Sequence, residues 1–244
     1  MKRFDEFQEM IGYKFRSLAL LRQALTHSSF ANEKHLKRNA NNERMEFLGD
    51  AVLELASSEF LYTHYPELPE GELTRTRASL VCEPTLAFCA EELHLGEYIL
   101  LGKGEAMTGG RTRKSILSDA LEAVIGAIYL DGGLTFAKEF IYKFVLNDVE
   151  HKQLFHDSKS ILQERVQGHH KKVEYVLVGE EGPDHEKNFT VEVRLEDRVL
   201  AMGSGHTKKA AEQAAAYRAL IDGEDFGEKD MEPLPTENAV SPSQ

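Results

Sequence analysis

Cysteine, positive charge and long apolar runs are what this sequence has least of. Its two cysteines, Cys82 and Cys89, lie seven apart in SLVCEPTLAFCAEEL, two turns along one face if that helix is continuous. They read as buried free thiols rather than a disulfide. No His or Cys stands at ligand spacing beside them, which excludes a thiolate metal site. A run of about eighteen apolar residues is missing, so no membrane-spanning helix is expected. The N-terminal MKRFDEFQEM is too acidic and polar for a signal peptide, and the expected compartment is the cytoplasm. Gly102-Lys103-Gly104 lacks the full phosphate-loop pattern and the hydroxyl residue after its lysine, so no nucleotide site and no small-molecule cofactor are expected there.

Positive charge is scarce enough to bear on partners. Lys and Arg number 29 against 41 Asp and Glu, a net charge of −12, whereas a phosphate backbone calls for a basic surface. Much of the excess is local. The final stretch GEDFGEKDMEPLPTENAVSPSQ holds six acids and one lysine, which leaves −7 for everything before it. Its Pro, Glu and Ser content favours disorder.

Six of the other acids form a pattern. Glu43, Glu46 and Asp50 in NERMEFLGDAVLEL share one helical stripe, Asp119 and Glu122 in SILSDALEAVIGAIYL share another, and Glu70 lies between in PEGELTR. Apolar residues surround both stripes: Met45, Phe47, Leu48, Val52, Leu53 and Leu55 in the first, Ile116, Leu117, Leu121, Val124, Ile125 and Ile128 in the second. Both helices therefore read as buried nearly all round. Carboxylates crowded on such helices raise one another's pKa and lose hydration. A divalent cation removes that penalty, and hard oxygen donors suit Mg²⁺ or Mn²⁺. Solvated helix faces are the bland alternative for either stripe alone; the apolar setting argues against it.

Glu43-Arg44-Met45-Glu46-Phe47-Leu48-Gly49-Asp50-Ala51 resembles the signature stretch of the ribonuclease III family, and Ser115-Ile116-Leu117-Ser118-Asp119-Ala120-Leu121-Glu122-Ala123 resembles its second metal-binding segment. The resemblance runs from about residue 5 to 222 and includes the Glu70-Gly71 element. It implies a double-stranded-RNA endonuclease with Glu46, Asp50, Asp119 and Glu122 as Mg²⁺ ligands, Mn²⁺ substituting, and with Glu43 and Glu70 supporting catalysis. Also implied are 5′-phosphate and 3′-hydroxyl ends, short 3′ overhangs, and a homodimer in which Phe47 inserts into the partner.

Organisation along the chain fits two folded domains, an all-α nuclease domain followed by an α+β domain of order α-β-β-β-α. Residues 1–150 are helical by periodicity, with Asp131-Gly132-Gly133 a stop between the last two segments. A linker is expected at 151–156, the second domain at 157–223 and an acidic tail at 224–244. In KNFTVEVRLED, Phe189, Val191 and Val193 alternate with Thr190, Glu192 and Arg194, as in a half-buried antiparallel sheet. This order, with the junction Gly203-x-Gly205-x-Thr207-Lys208-Lys209-Ala210, resembles a double-stranded-RNA-binding domain. Thr207 can cap the last helix while Lys208 and Lys209 meet a phosphate run. The resemblance also implies RNA contacts for Ser160, Gln163 and Glu164, and for His185 in the loop Gly182-Pro183-Asp184-His185. Such grooves are read by shape and 2′-hydroxyls, which tolerates an acidic domain.

Two further groups complete the reading. The loop Gly109-Gly110-Arg111-Thr112-Arg113-Lys114 enters the Asp119 helix, so Arg111 and Arg113 can bring charge to a phosphate. His27, His64, His151, His156, His169 and His170 share no ligand spacing and read as surface or helix-end residues. The expected activity is metal-dependent cleavage of double-stranded RNA, with processing of ribosomal RNA precursors and other structured transcripts. Two rivals stand beside it: a non-catalytic RNA-binding protein, opposed by the six intact acids, and a hydrolase of small phosphate esters, opposed by the C-terminal domain.

Overall fold

Gly, Pro and polar caps divide the first part of the chain into short helices around one very apolar one. The computed structural model describes residues 2–167, 172–182, 187–196, 198–205 and 207–222. The chain divides into two units, Met1–Asp157 and Ser158–Gln244. In the first, α1 (Lys2–Ile11), α2 (Leu18–Ala24) and α3 (Ser28–Glu33) precede the long α4 (Glu43–His64). Then come α5 (Glu70–Val81), α6 (Glu83–Glu92), α7 (Leu95–Tyr98), α8 (Lys103–Met107), a 3-10 turn at Gly110–Thr112, α9 (Lys114–Gly132) and α10 (Leu134–Phe144).

Helix α9 is the axis of this unit. From Ile116 to Ile128 only Asp119 and Glu122 escape full burial, and α2, α4, α6 and α10 all pack on it. The expectation of all-round burial holds for α9 and fails for α4. Met45, Val52, Leu53, Ala56 and Leu61 are buried, but Phe47, Leu55 and Tyr62 lie 80%, 55% and 76% exposed. One side of α4 rests on the core, and the other carries an apolar stripe outward.

Two further expectations are corrected. Cys82 and Cys89 do not share a helix: Cys82 adopts an extended conformation between α5 and α6, and Pro84 fits the first turn of α6. Cys89 is buried and Cys82 half-buried, both as free thiols. The segment LALLRQALTHSSF is two helices, because His27 is extended and caps α3, its Nδ1 accepting the Ser29 N–H at 3.2 Å.

The loop between α1 and α2 is pinned to the end of α9 by one carboxylate. Asp131 accepts from the Tyr13 hydroxyl and from the backbone N–H groups of Arg16 and Ser17, each at 2.8 Å. Burial alone would raise its pKa; those donors together hold it below the usual carboxylate range. A depressed carboxyl contributes stability above the unfolded pKa, about 3.9, and loses it as pH falls through the folded value. Asp131→Asn should therefore cost about 1 kcal/mol near neutrality, allowing for solvent screening, with the gap from wild type closing below about pH 4. Urea unfolding midpoints measured across that range check this.

In the second unit, α11 (Val149–Gln167, beginning within the first) is followed by β1 (Val173–Glu181), β2 (Asn188–Leu195), β3 (Arg198–Gly205) and α12 (Lys208–Ile221). The strands form an antiparallel sheet in the order β1-β2-β3. Val191, Val193 and Leu195 bury one face, and α12 covers it with Ala211, Ala215, Ala216 and Ala219. Residues 151–156, expected as a linker, are helical and belong to α11. His185 and the tail 224–244 lie outside the described residues.

Candidate catalytic centre and RNA-binding surfaces

The catalytic centre depends on how closely two helices approach. A Cβ built on Gly49 of α4 would fall 1.8 Å from the Glu122 carbonyl oxygen of α9, and one on Gly126 of α9 would fall 2.3 Å from the Met45 carbonyl oxygen of α4. Only hydrogen fits at either point, so the backbones touch and the carboxylates beside the contact are forced together.

Glu46, Asp119 and Glu122 each offer an oxygen, and all three oxygens lie within 4.8 Å of one another. Burial pushes the Glu122 carboxyl up to about 8, helped by the charges of Asp50, Asp119 and Glu46. Glu46 is raised by burial and then by Asp119, Glu43 and Asp50. Asp119 is raised by burial, eased by the Ser118 hydroxyl, raised by Glu83 and eased by His27. Among the described residues no lysine or arginine forms an ion pair with any of the three. Half-buried, crowded, all-oxygen and unneutralised, this donor set fits a hard divalent cation.

The other expected acids are placed less uniformly. Asp50 and Glu43 are exposed on α4, outside the tight group, though their charges act on it. Glu70 does not join. It begins α5, accepts from the Thr74 hydroxyl at 3.0 Å, and lines a separate groove of about 440 Å³ with Leu55, Tyr62, Leu73 and Arg77. Two neighbours of Asp119 escaped the sequence reading. The charges of Glu83, at the start of α6, and His27, at the cap of α3, act on it. No periodicity links those positions to Asp119, so nothing in the sequence marked them.

Both loop arginines are engaged by the protein itself. Arg111 donates to the carbonyls of Gly96 and Ile99 at 2.7 and 3.1 Å, which ties the loop to the end of α7. Arg113 pairs with Glu105 and donates to the Thr108 carbonyl. Both arginines brace the loop, and the Arg113 side chain stays partly exposed.

In the second unit the Thr207 hydroxyl caps α12, accepting the Ala210 N–H at 3.0 Å. Lys208 and Lys209 are exposed in the first turn, and Ser160, Gln163 and Glu164 are exposed on α11.

A helical unit with a cation-ready carboxylate centre, followed by an α-β-β-β-α unit with a capped basic helix start, defines a hydrolase scaffold coupled to a nucleic-acid-binding domain. Comparison with known proteins agrees. The ribonuclease-III-like family matches residues 18–149, and the double-stranded RNA binding motif matches residues 158–222. Ribonuclease 3 of Bacillus licheniformis is 50% identical over 222 residues, 90% of this chain and 89% of that protein. The enzyme of Oceanobacillus iheyensis is 49% identical over 216 residues, 87% and 95% of the two chains. The nuclease domain of ribonuclease III from Campylobacter jejuni, whose structure shows flexibility in a region involved in dimer formation, is 44% identical. It covers 58% of this chain and 95% of its own, with a TM-score of 0.55. The chain belongs to the ribonuclease III family.

Proposed function

We infer that the protein is an endoribonuclease that cleaves double-stranded RNA by metal-dependent phosphodiester hydrolysis, leaving 5′-phosphate and 3′-hydroxyl ends with short 3′ overhangs. The observation that carries this is the group Glu46, Asp119 and Glu122, brought together by the contact of α4 and α9. These three and Asp50 are the proposed ligands of Mg²⁺, for which Mn²⁺ can substitute. A divalent cation held there supplies positive charge to the scissile phosphate and makes a bound water acidic enough to attack. Glu122, deepest in burial, would face a bound cation where solvent screens their attraction least. Glu43 and Asp50 add negative field from the exposed edge, and His27 offsets part of it at Asp119. Glu70 is proposed to act toward the RNA or in the outer shell.

Residues 1–150 form the proposed catalytic domain and 157–223 the RNA-binding domain, joined at 151–156 and followed by an acidic tail. Ser160, Gln163, Glu164, His185, Thr207, Lys208 and Lys209 are its proposed RNA contacts. Arg111 and Arg113 of the basic loop are proposed RNA contacts as well, held in place by their bonds within the protein. Replacing both Lys208 and Lys209 by glutamine should lower the slope of log affinity against log salt by roughly one for each phosphate left without its ammonium. Duplex binding titrated at several salt concentrations measures it, and an unchanged slope would remove the pair from the interface.

The working form is proposed to be a cytoplasmic homodimer that processes ribosomal RNA precursors and other structured transcripts. Among the described residues no helix is long and apolar enough to cross a membrane. Support for the dimer comes from the outward stripe Phe47, Leu55 and Tyr62, the last two lining the groove of about 440 Å³. A partner's aromatic ring fits a space of that kind, and an exposed apolar stripe is costly in water. Phe47→Ala should weaken self-association by about 2–4 kcal/mol while leaving the protomer folded, since the ring touches little of its own core. Sedimentation over a concentration series reads this directly, and an unchanged dimer would remove Phe47 from the interface.

A further inference from the structure

We propose that a pocket between the end of α1 and α10 is a second binding site, selective for a nucleotide carrying a phosphate. The pocket has a volume of about 300 Å³, at the lower end of ligand sites, where one nucleotide unit fits and a duplex does not. Its floor is aromatic. Tyr13 and Phe136 meet edge to face with centroids 5.6 Å apart, and the buried Phe140 also lines the pocket. Tyr13 is held by its hydrogen bond to Asp131, while Phe136 remains 40% exposed.

The rim is cationic. Lys14, Arg16 and Lys143 line the pocket against a single acid, Glu139, giving a local charge of +2 in a chain of −12. Some cations of this unit are paired, Lys138 with Glu59, Arg77 with Glu54 and Arg113 with Glu105. Among the described residues the Lys14 and Arg16 side chains form no ion pair, and the Lys143 ammonium rests on the Phe144 ring, 4.7 Å from its centroid. Asp131 offsets part of the Arg16 charge, but its oxygens accept from Tyr13 and two backbone N–H groups and form no ion pair with the guanidinium among the described residues. Lys14, Lys143 and the partly offset Arg16 leave an excess of positive charge around one concavity, which an anion relieves, and an aromatic lining favours an anion with a flat ring. Phosphate on the rim and base on the floor satisfy both demands.

This pocket is separate from the catalytic centre. Asp119 and Asp131 are twelve residues apart on α9, about 18 Å at helical rise. The phosphorylated nucleotide has two sources, a free nucleotide or the 5′-phosphorylated end of a single strand.

Calorimetry on the full-length protein in chelator, without divalent metal, tests the site with five probes: inorganic phosphate, adenosine, adenosine 5′-monophosphate, and a single-stranded tetranucleotide with and without a 5′-phosphate. The monophosphate should bind at least about tenfold more tightly than phosphate or adenosine alone. A Lys14→Gln/Arg16→Gln double variant, altering only exposed side chains, should lose about tenfold or more. Phe136→Ala should erase the advantage of the nucleotide over phosphate, and Glu139→Gln should tighten binding. A 5′-phosphorylated strand that outcompetes the monophosphate assigns the site to RNA ends; a strand no tighter assigns it to free nucleotides. Equal weak binding of all probes, no binding at millimolar concentration, or monophosphate binding indifferent to Lys14 and Arg16 would overturn the proposal and leave a solvated basic patch.

Discussion

Glu122→Gln should give a protein that holds duplex RNA and does not cut it. The substitution keeps the volume and hydrogen-bonding capacity of the side chain and deletes one charge at the most buried of the three clustered carboxyls. Charge stabilisation by a bound cation is worth several kcal/mol at the transition state, so the cleavage rate should fall on the order of 10³-fold. Duplex affinity should stay level or rise slightly, because repulsion toward phosphate is reduced and the RNA-binding domain is untouched. Metal-free Glu122→Gln should also melt at a higher temperature than metal-free wild type near neutral pH, since folding no longer requires a carboxyl pushed up to about 8 by burial and by Asp50, Asp119 and Glu46 to take up a proton. Gel shift in Ca²⁺, cleavage in Mg²⁺ and thermal melting in chelator read the three parts. Cleavage at the wild-type rate would contradict the assignment.

Gly49→Ala should damage both stability and activity, although it adds one methyl group. That methyl would lie 1.8 Å from the Glu122 carbonyl oxygen, which belongs to helix backbone and cannot rotate away. The two helices must separate. Overpacking of this kind costs about 1–3 kcal/mol or more, and the separation pulls Glu46 from Asp119 and Glu122. Gly71→Ala is the matched control. Gly71 lies in exposed helix α5 with nothing within 4 Å of the added carbon, so alanine should be neutral or stabilising by up to about 1 kcal/mol. Urea unfolding and cleavage rates of both variants decide it. A Gly49→Ala protein as stable and active as wild type would show that the helix contact does not set the site.

What was legible in the sequence was local or repeated. Carboxylates three, four and seven apart mark a helical face wherever the helix goes, which gave the two stripes, while the joining of Glu46 with Asp119 and Glu122 was implied by the family resemblance. Period-two alternation in β2 and the Thr207 cap are equally local, and both are present in the structure. The less legible features depend on contacts between distant segments. The touching of Gly49 and Gly126 follows from the register of two helices, and the approach of His27 and Glu83 to Asp119 follows from three separate helix starts. Arg111 and Arg113 looked free because their acceptors, the Gly96 and Ile99 carbonyls and Glu105, cannot be chosen from sequence alone. One signal was overlooked. Proline is tolerated in a helix only in its first turn, so Pro84 marks a helix start and the break that separates Cys82 from Cys89.

The most direct test of the carboxylate centre is incubation of the full-length protein with a long RNA duplex in Mg²⁺, with and without chelator, followed by analysis of the fragment ends. The account predicts short duplex fragments with 5′-phosphates, 3′-hydroxyls and 3′ overhangs, formed only when the cation is free. Cleavage that persists in chelator, or fragments ending in 3′-phosphates, would contradict it.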